Sequence, residues 1–201
     1  VELDQPAAID AVQYLQDLIW KEHVTPPPGT APGPIKSFIA GKLAMHLNWG
    51  GTGIAQFAPV KDLSWDIALP PAKDGKSFVT WAPLNPMTIN KQAKHPDQSW
   101  TFERWYNGTP GMTIFSQNGR VPVARSVLTS PAYLKATPPA HQQVVLQGMQ
   151  VGKPAFVNPN WTLASEQLTP FLTKIAKNTM PVADALKQAV ALANPILAGK
   201  G

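Results

Sequence analysis

A chain of 201 residues, 44% hydrophobic and only 14% charged, with 22 prolines along its length, can bury a core and suits one or two globular domains with many short connections. Its net charge of +5 comes from lysines set singly, at Lys21, Lys36, Lys42, Lys61 and onward, so it offers no basic stripe for a nucleic acid. Zero cysteines exclude disulfides, thiolate metal sites and cysteine nucleophiles, and no apolar run approaches the ~18 residues that cross a bilayer.

Val1 is not an initiator methionine, which fits either a processed start or a piece of something longer. Helices and strands are expected to alternate. Ala8, Ala11, Leu15 and Leu18, with Ile9, Val12 and Ile19 beside them, recur at helical spacing from Pro6 to Glu22, and Asp4 stands where it can cap the start. The Thr25-Pro26-Pro27-Pro28-Gly29 run ends that helix, because proline removes a donor and restricts the residue before it. Ser37 can cap a short helix through Phe38, Ile39 and Lys42, after which Leu43 to Leu47 reads as a buried strand. Gly50, Gly51 and Gly53 permit turns that other residues resist, and a further short helix can run through Ile54 and Phe57.

Strands are expected at Trp65 to Leu69, Phe78 to Trp81 and Met87 to Ile89. Pro96 suits the first turn of a helix through Trp100, Phe102, Trp105 and Tyr106, stopped by Asn107-Gly108, with its aromatic spacing marking a packed face. Three more helices follow, over Ala140 to Gln150, Leu163 to Lys177 and Pro181 to Leu197. Leu168, Phe171, Leu172 and Ile175 should face inward on the second, and Val182, Leu186, Ala189 and Ala193 share a face of the third.

Catalytic constellations are hard to assemble from these residues. His23, His46, His95 and His141 show no metal-ligand spacing and read as surface or capping residues, and no G-x-S-x-G elbow surrounds Ser64, Ser77 or Ser126. Gly50-Gly51-Thr52-Gly53 lacks the lysine and hydroxyl that complete a phosphate loop, so it reads as a turn. Glycosidase chemistry needs two carboxylates facing one another across a sugar, whereas Asp62 and Asp66 flank a strand start where solvated loop acids are common. No cofactor or metal site is indicated.

Seven tryptophans remain, and an indole can stack on the apolar face of a sugar while donating one hydrogen bond. Trp20, Trp100 and Trp105 lie on helices, where packing accounts for them. Trp49, Trp81 and Trp161 each adjoin glycine, proline or asparagine at the end of an element, where pocket walls are usually built.

Several segments together carry a family resemblance. The run FIAGKLAM, a Trp-Gly corner, WDIALPPAKDGK and INKQAKHPDQSWTFERWY resembles the C-terminal half of bacterial extracellular solute-binding proteins of ABC sugar importers, the maltose-binding-protein-like family. PAAIDAVQYLQDLIWKEHVTP is similar to the helix before the family's F-x-x-G-K-x-A-M motif, NGRVPVARSVLTSPAY to its Gly-x-x-Pro segment, and Pro154 to Leu197 to its closing helical pair. The order matches over nearly the whole chain.

This resemblance implies an α/β, helix-rich fold of the type II periplasmic-binding-protein-like kind, made of the C-terminal lobe plus part of the N-terminal lobe. Residues 1–76 and 138–201 would belong to the C-terminal lobe and 77–137 to the other, with hinge crossings near Phe78 and Thr137. The ligand would be a sugar or oligosaccharide held in a cleft between lobes. The implied partners are ABC permease subunits and the N-terminal half of the same protein, which this chain lacks. The implied location is periplasmic or extracellular, free or lipid-anchored.

Carried onto this sequence, the resemblance makes Asn48, Trp49, Gly50 and Gly51 ligand-facing, together with Trp81 past the hinge and Asn160 and Trp161 before the penultimate helix. Relatives commonly place the tryptophan slightly later, where this chain has Gly51. Arg125 could offer a fork of hydrogen bonds to hydroxyls or a carboxylate, and reads equally as a surface arginine. A carbohydrate-active enzyme and a lobe fragment that folds without binding stay open as alternatives.

Overall fold

The computed structural model describes residues 1–47, 50–73, 75–76, 78–82, 85–154 and 157–200. Its elements in chain order are α1 (Pro6–Trp20), α2 (Pro34–Ile39), α3 (Gly50–Phe57), β1 (Thr80–Trp81), α4 (Pro96–Asn107) and α5 (Thr109–Gln117). There follow α6 (Arg125–Leu128), α7 (Pro131–Leu134), α8 (Val144–Val151), β2 (Gly152–Lys153), α9 (Trp161–Ala176) and α10 (Val182–Leu197). The chain divides into two compact units, Val1–Ser37 with Phe156–Gly201, and Phe38–Ala155.

In the first unit, α9 and α10 pack together and α1 joins both. Ala164, Leu168, Ala189 and Ala193 form one buried cluster, and Ile175, Val182, Ala185 and Leu186 a second. The alanines let the two helix backbones approach closely, and fully buried Leu186 contributes about 1.5–3 kcal/mol by leaving water. The expected inward residues of α10 are all buried, whereas Leu172 on α9 sits at the edge of the apolar stripe and stays exposed. α1 starts at Pro6, where a missing N–H costs nothing. Its boundary residue is Gln5 rather than Asp4, with no side-chain cap.

Polar side chains complete the helix ends of this unit. Gln16 Nε2 donates to the Ile175 carbonyl at 2.8 Å and Trp20 Nε1 to that of Ala176 at 3.0 Å. These carbonyls belong to the last turn of α9, which has no intrahelical donors to offer them.

In the second unit, β1 and β2 pair in parallel, Thr80 opposite Gly152 and Trp81 opposite Lys153. A Cβ on Gly152 would lie 2.7 Å from that of Ala82, so the approach of the two segments requires glycine there. The other expected strands are not formed among the described residues. Leu43 to Leu47 is no buried strand, with Met45 87% and Leu47 74% exposed. Burial alternates from Leu63 to Leu69 as it would along a strand, yet no ladder partner is present there or at Met87 to Ile89. A strand exists only through a hydrogen-bonded neighbour, so the pattern alone does not form one.

α4 corrects a further expectation. It runs from Pro96 to Asn107 as anticipated, but none of its residues is buried, and Trp100, Phe102 and Trp105 are 54%, 53% and 46% exposed. Its ring contacts run through Phe102 to Tyr106, centroids 5.8 Å apart, and on to Phe115 of α5 at 6.0 Å. α5, unanticipated, begins with Pro110 in its first turn, a position proline favours. α8 starts at Val144, later than expected.

Candidate functional site

The corner expected to face ligand leads into α3. Asn48 and Trp49 lie outside the described residues; Gly50 and Gly51 open the helix. Two side chains of α3, Ile54 and Phe57, are buried and fix its position. Phe57 is the hub of a ring cluster, 4.9 Å from Phe38, 6.2 Å from His46 and edge-on to Trp65 at 5.6 Å. His46 is therefore a packed ring rather than a surface or capping residue, and burial lowers its pKa below the ordinary value, which favours neutral imidazole.

The back of α3 meets the turn after α5. Gly119 adopts φ +72°, and a Cβ there would stand 2.8 Å from Ala55 Cα and 2.9 Å from Ala55 N. Only glycine tolerates both the left-handed backbone and that approach. The same turn leads through buried Pro122 to Arg125, the first residue of α6, which Val127 and Leu128 anchor by burial. The Arg125 side chain is exposed and its carbonyl accepts from the N–H and Oγ1 of Thr129 at 3.0 and 2.9 Å. The structure thus couples the α3 helix opened by Gly50 and Gly51 to the segment that carries Arg125.

Trp81 is exposed on β1, in register with Lys153. Lys153 went unnoticed in the sequence because nothing local marks a two-residue strand. In the first unit, Asn160 and Trp161 stand side by side at the start of α9. Asn160 Nδ2 donates to the Ile196 carbonyl at 3.1 Å and Asn158 Nδ2 to that of Leu197 at 3.3 Å, so this loop closes the last turn of α10 and leaves the Trp161 ring exposed.

Asp66 is also more than a solvated loop acid. It accepts from Ile67 N at 2.9 Å and His141 N at 3.0 Å and pairs with the His141 ring. No local sequence signal could have joined residues so far apart. Among the described residues, no three His, Asp or Glu side chains converge as a metal site would need, and no helix is long and apolar enough to cross a membrane.

The sequence profile of bacterial extracellular solute-binding proteins matches residues 2–143. The chain belongs to this family. No curated protein sequence matches it. Solved solute-binding proteins share its fold at low identity. An ABC substrate-binding protein from Listeria monocytogenes in complex with cycloalternan aligns with TM-score 0.80 and 19% identity, over 98% of this chain and 51% of that one. The maltose-maltodextrin binding protein of Alicyclobacillus acidocaldarius gives 0.76 and 19%, over 96% and 52%. Maltose-bound MalE3 of T. maritima gives 0.74 and 19%, over 98% and 51%. The fold is that of type II periplasmic binding proteins, and this chain spans about half the length of these structures.

Proposed function

We propose that this chain is part of the substrate-binding component of an ABC importer, which holds a sugar or oligosaccharide in a cleft between two lobes and delivers it to the membrane permease. The observation that carries this is the family profile over residues 2–143; fold likeness to proteins solved with cycloalternan and maltose supports it. No bond is made or broken. The lobes would be residues 1–76 with 138–201, and 77–137, and the location periplasmic or extracellular, free or lipid-anchored.

The proposed ligand-facing residues are Asn48, Trp49, Gly50, Gly51, Trp81, Arg125, Asn160 and Trp161. Indoles would cover the apolar faces of sugar rings, while amide and guanidinium donors read hydroxyl positions at about 1 kcal/mol net per hydrogen bond. Ligand would favour the closed state by its greater affinity for it.

The test is calorimetry and thermal melting of this chain beside the complete gene product, with maltose, maltodextrins and cycloalternan as probes. A ligand at 100 times its Kd should add about 2.7 kcal/mol of stability. Absence of any shift in the complete protein across the panel sinks the reading, and release of shorter sugars would favour a carbohydrate-active enzyme instead.

A further inference from the structure

The basic charge of this chain is unevenly placed. The second unit, Phe38–Ala155, holds eleven Lys and Arg against five Asp and Glu, whereas the remaining residues hold six against seven. All of the positive surplus therefore belongs to the unit that carries Trp81 and Arg125. It arises from missing carboxylates rather than from a stripe of lysines, since no Asp or Glu occurs from Gly75 to Pro96 or from Arg104 to Ser165. β1, α6 and β2 all fall within these two runs.

One place sets a cation beside an indole. Trp81 and Lys153 are register partners across the parallel β1 and β2 pair, so their Cα atoms lie about 4.8 Å apart and their side chains leave on one face. Both are exposed, and among the described residues neither Lys153 nor Arg125 stands in an ion pair. Ammonium and guanidinium groups only donate hydrogen bonds, an ionised carboxylate only accepts them, and a sugar hydroxyl does both. Ionisable groups that only donate suit a ligand with acceptors in excess, and a charged acceptor strengthens each bond.

We infer that the ligand of this unit is an anionic oligosaccharide bearing uronate or sulfate groups, one ring stacked on Trp81 with its anionic group paired to Lys153, and Arg125 supplying a second cation. This rests on the proposed function and narrows its substrate class. Lys153 becomes the residue that reads ligand charge, beside an indole that accepts the apolar face of any pyranose.

The test is calorimetry of the complete gene product, at low and high salt, with trigalacturonate, its neutral methyl ester, a sulfated chondroitin tetrasaccharide and maltotriose. At least one anionic probe should bind about tenfold or more tightly than the neutral ones, by a margin that shrinks in high salt. The ester separates charge from ring shape, and the chondroitin probe separates sulfate from uronate. Lys153→Gln should weaken the favoured anionic probe by about tenfold and maltotriose far less, and Lys153→Arg should retain most of the margin. Lys187→Gln, in the first unit, should change neither. Maltotriose bound as tightly as both anionic probes overturns the inference and leaves the sugar reading standing, and a margin intact in Lys153→Gln overturns it as well. Binding to phosphatidylglycerol vesicles but to neither anionic sugar also overturns it, and assigns the surplus charge to a membrane surface. If none of the four sugars binds, the inference falls, and titration with maltodextrins and cycloalternan decides the sugar reading separately.

Discussion

Asp66 and His141 are tied twice across 75 residues, once through the His141 backbone N–H at 3.0 Å and once through its ring. The tie clasps the loop before α8 to the Trp65–Leu69 segment. Burial alone would raise the Asp66 carboxyl, but the His141 side chain and the backbone N–H groups of His141 and Ile67 outweigh it and hold the pKa below the ordinary 3.8. A depressed carboxyl stabilises the fold above its unfolded pKa and stops doing so as pH falls through the folded one.

Asp66→Asn should therefore lower the melting temperature slightly near neutrality, by an amount equivalent to about 1 kcal/mol or less because the pair is exposed. Melts taken from neutral to strongly acidic pH should bring variant and parent together below the folded pKa. A gap independent of pH would rule out the carboxylate as its source.

Gly119 and Gly41 share nearly the same backbone, φ +72° and +68°, but only Gly119 meets a neighbour, since nothing lies within 4 Å of a Cβ built on Gly41. Gly41→Ala should cost only the left-handed strain of about 1–2 kcal/mol. Gly119→Ala should cost more, because the α3 backbone must also move. Urea unfolding of both variants gives the difference; equal losses would mean that Ala55 yields freely.

The helical unit should respond to its core in the ordinary way. Leu186→Ala is expected to cost about 2–5 kcal/mol. Gln16→Leu keeps the bulk but removes one of the two donors to the Ile175 carbonyl, which keeps the Asn178 N–H at 2.9 Å, so the loss should be about 1 kcal/mol, the net worth of one hydrogen bond. A Gln16→Leu variant as stable as the parent would show that the Asn178 N–H alone satisfies the carbonyl.

Sugar affinity should separate from stability among the proposed site residues. Trp161→Ala should weaken binding by about tenfold or more, or ~1.4 kcal/mol, while Trp161→Phe, which keeps a ring at this 36% exposed position, should hold the melting temperature. Asn160→Ala should lower stability as well, since its amide closes the end of α10. Calorimetry with maltodextrin checks both, and unchanged affinity in Trp161→Ala would remove that indole from the site.

The elements written in the sequence are those whose signals are local. Pro96 and Asn107-Gly108 bound α4, and the apolar stripes of α9 and α10 are readable because each helix satisfies its own backbone. Strands need partners. Leu43 to Leu47 and Trp65 to Leu69 carry strand-like composition, yet nothing within either segment says whether a neighbouring ladder exists. Trp100 and Trp105 failed for a related reason: aromatic residues at helical spacing mark a possible packing face, but α4 buries none of its residues. Gly50-Gly51-Thr52-Gly53 read as a turn but forms the first turn of α3, because its glycines carry no side-chain signal for a helix, and the coupling of α3 to the Arg125 segment depends on Gly119 and Ala55, which meet only in the folded chain.

Exposed indoles also decide what spectroscopy can see. Trp81, Trp100 and Trp105 are 51%, 54% and 46% exposed in the native chain, so their emission is already largely solvent-relaxed before unfolding begins. Tryptophan fluorescence should therefore report melting of the α9 and α10 core mainly through Trp20, bonded to the Ala176 carbonyl, and a blue shift of the three exposed rings should mark anything that covers them.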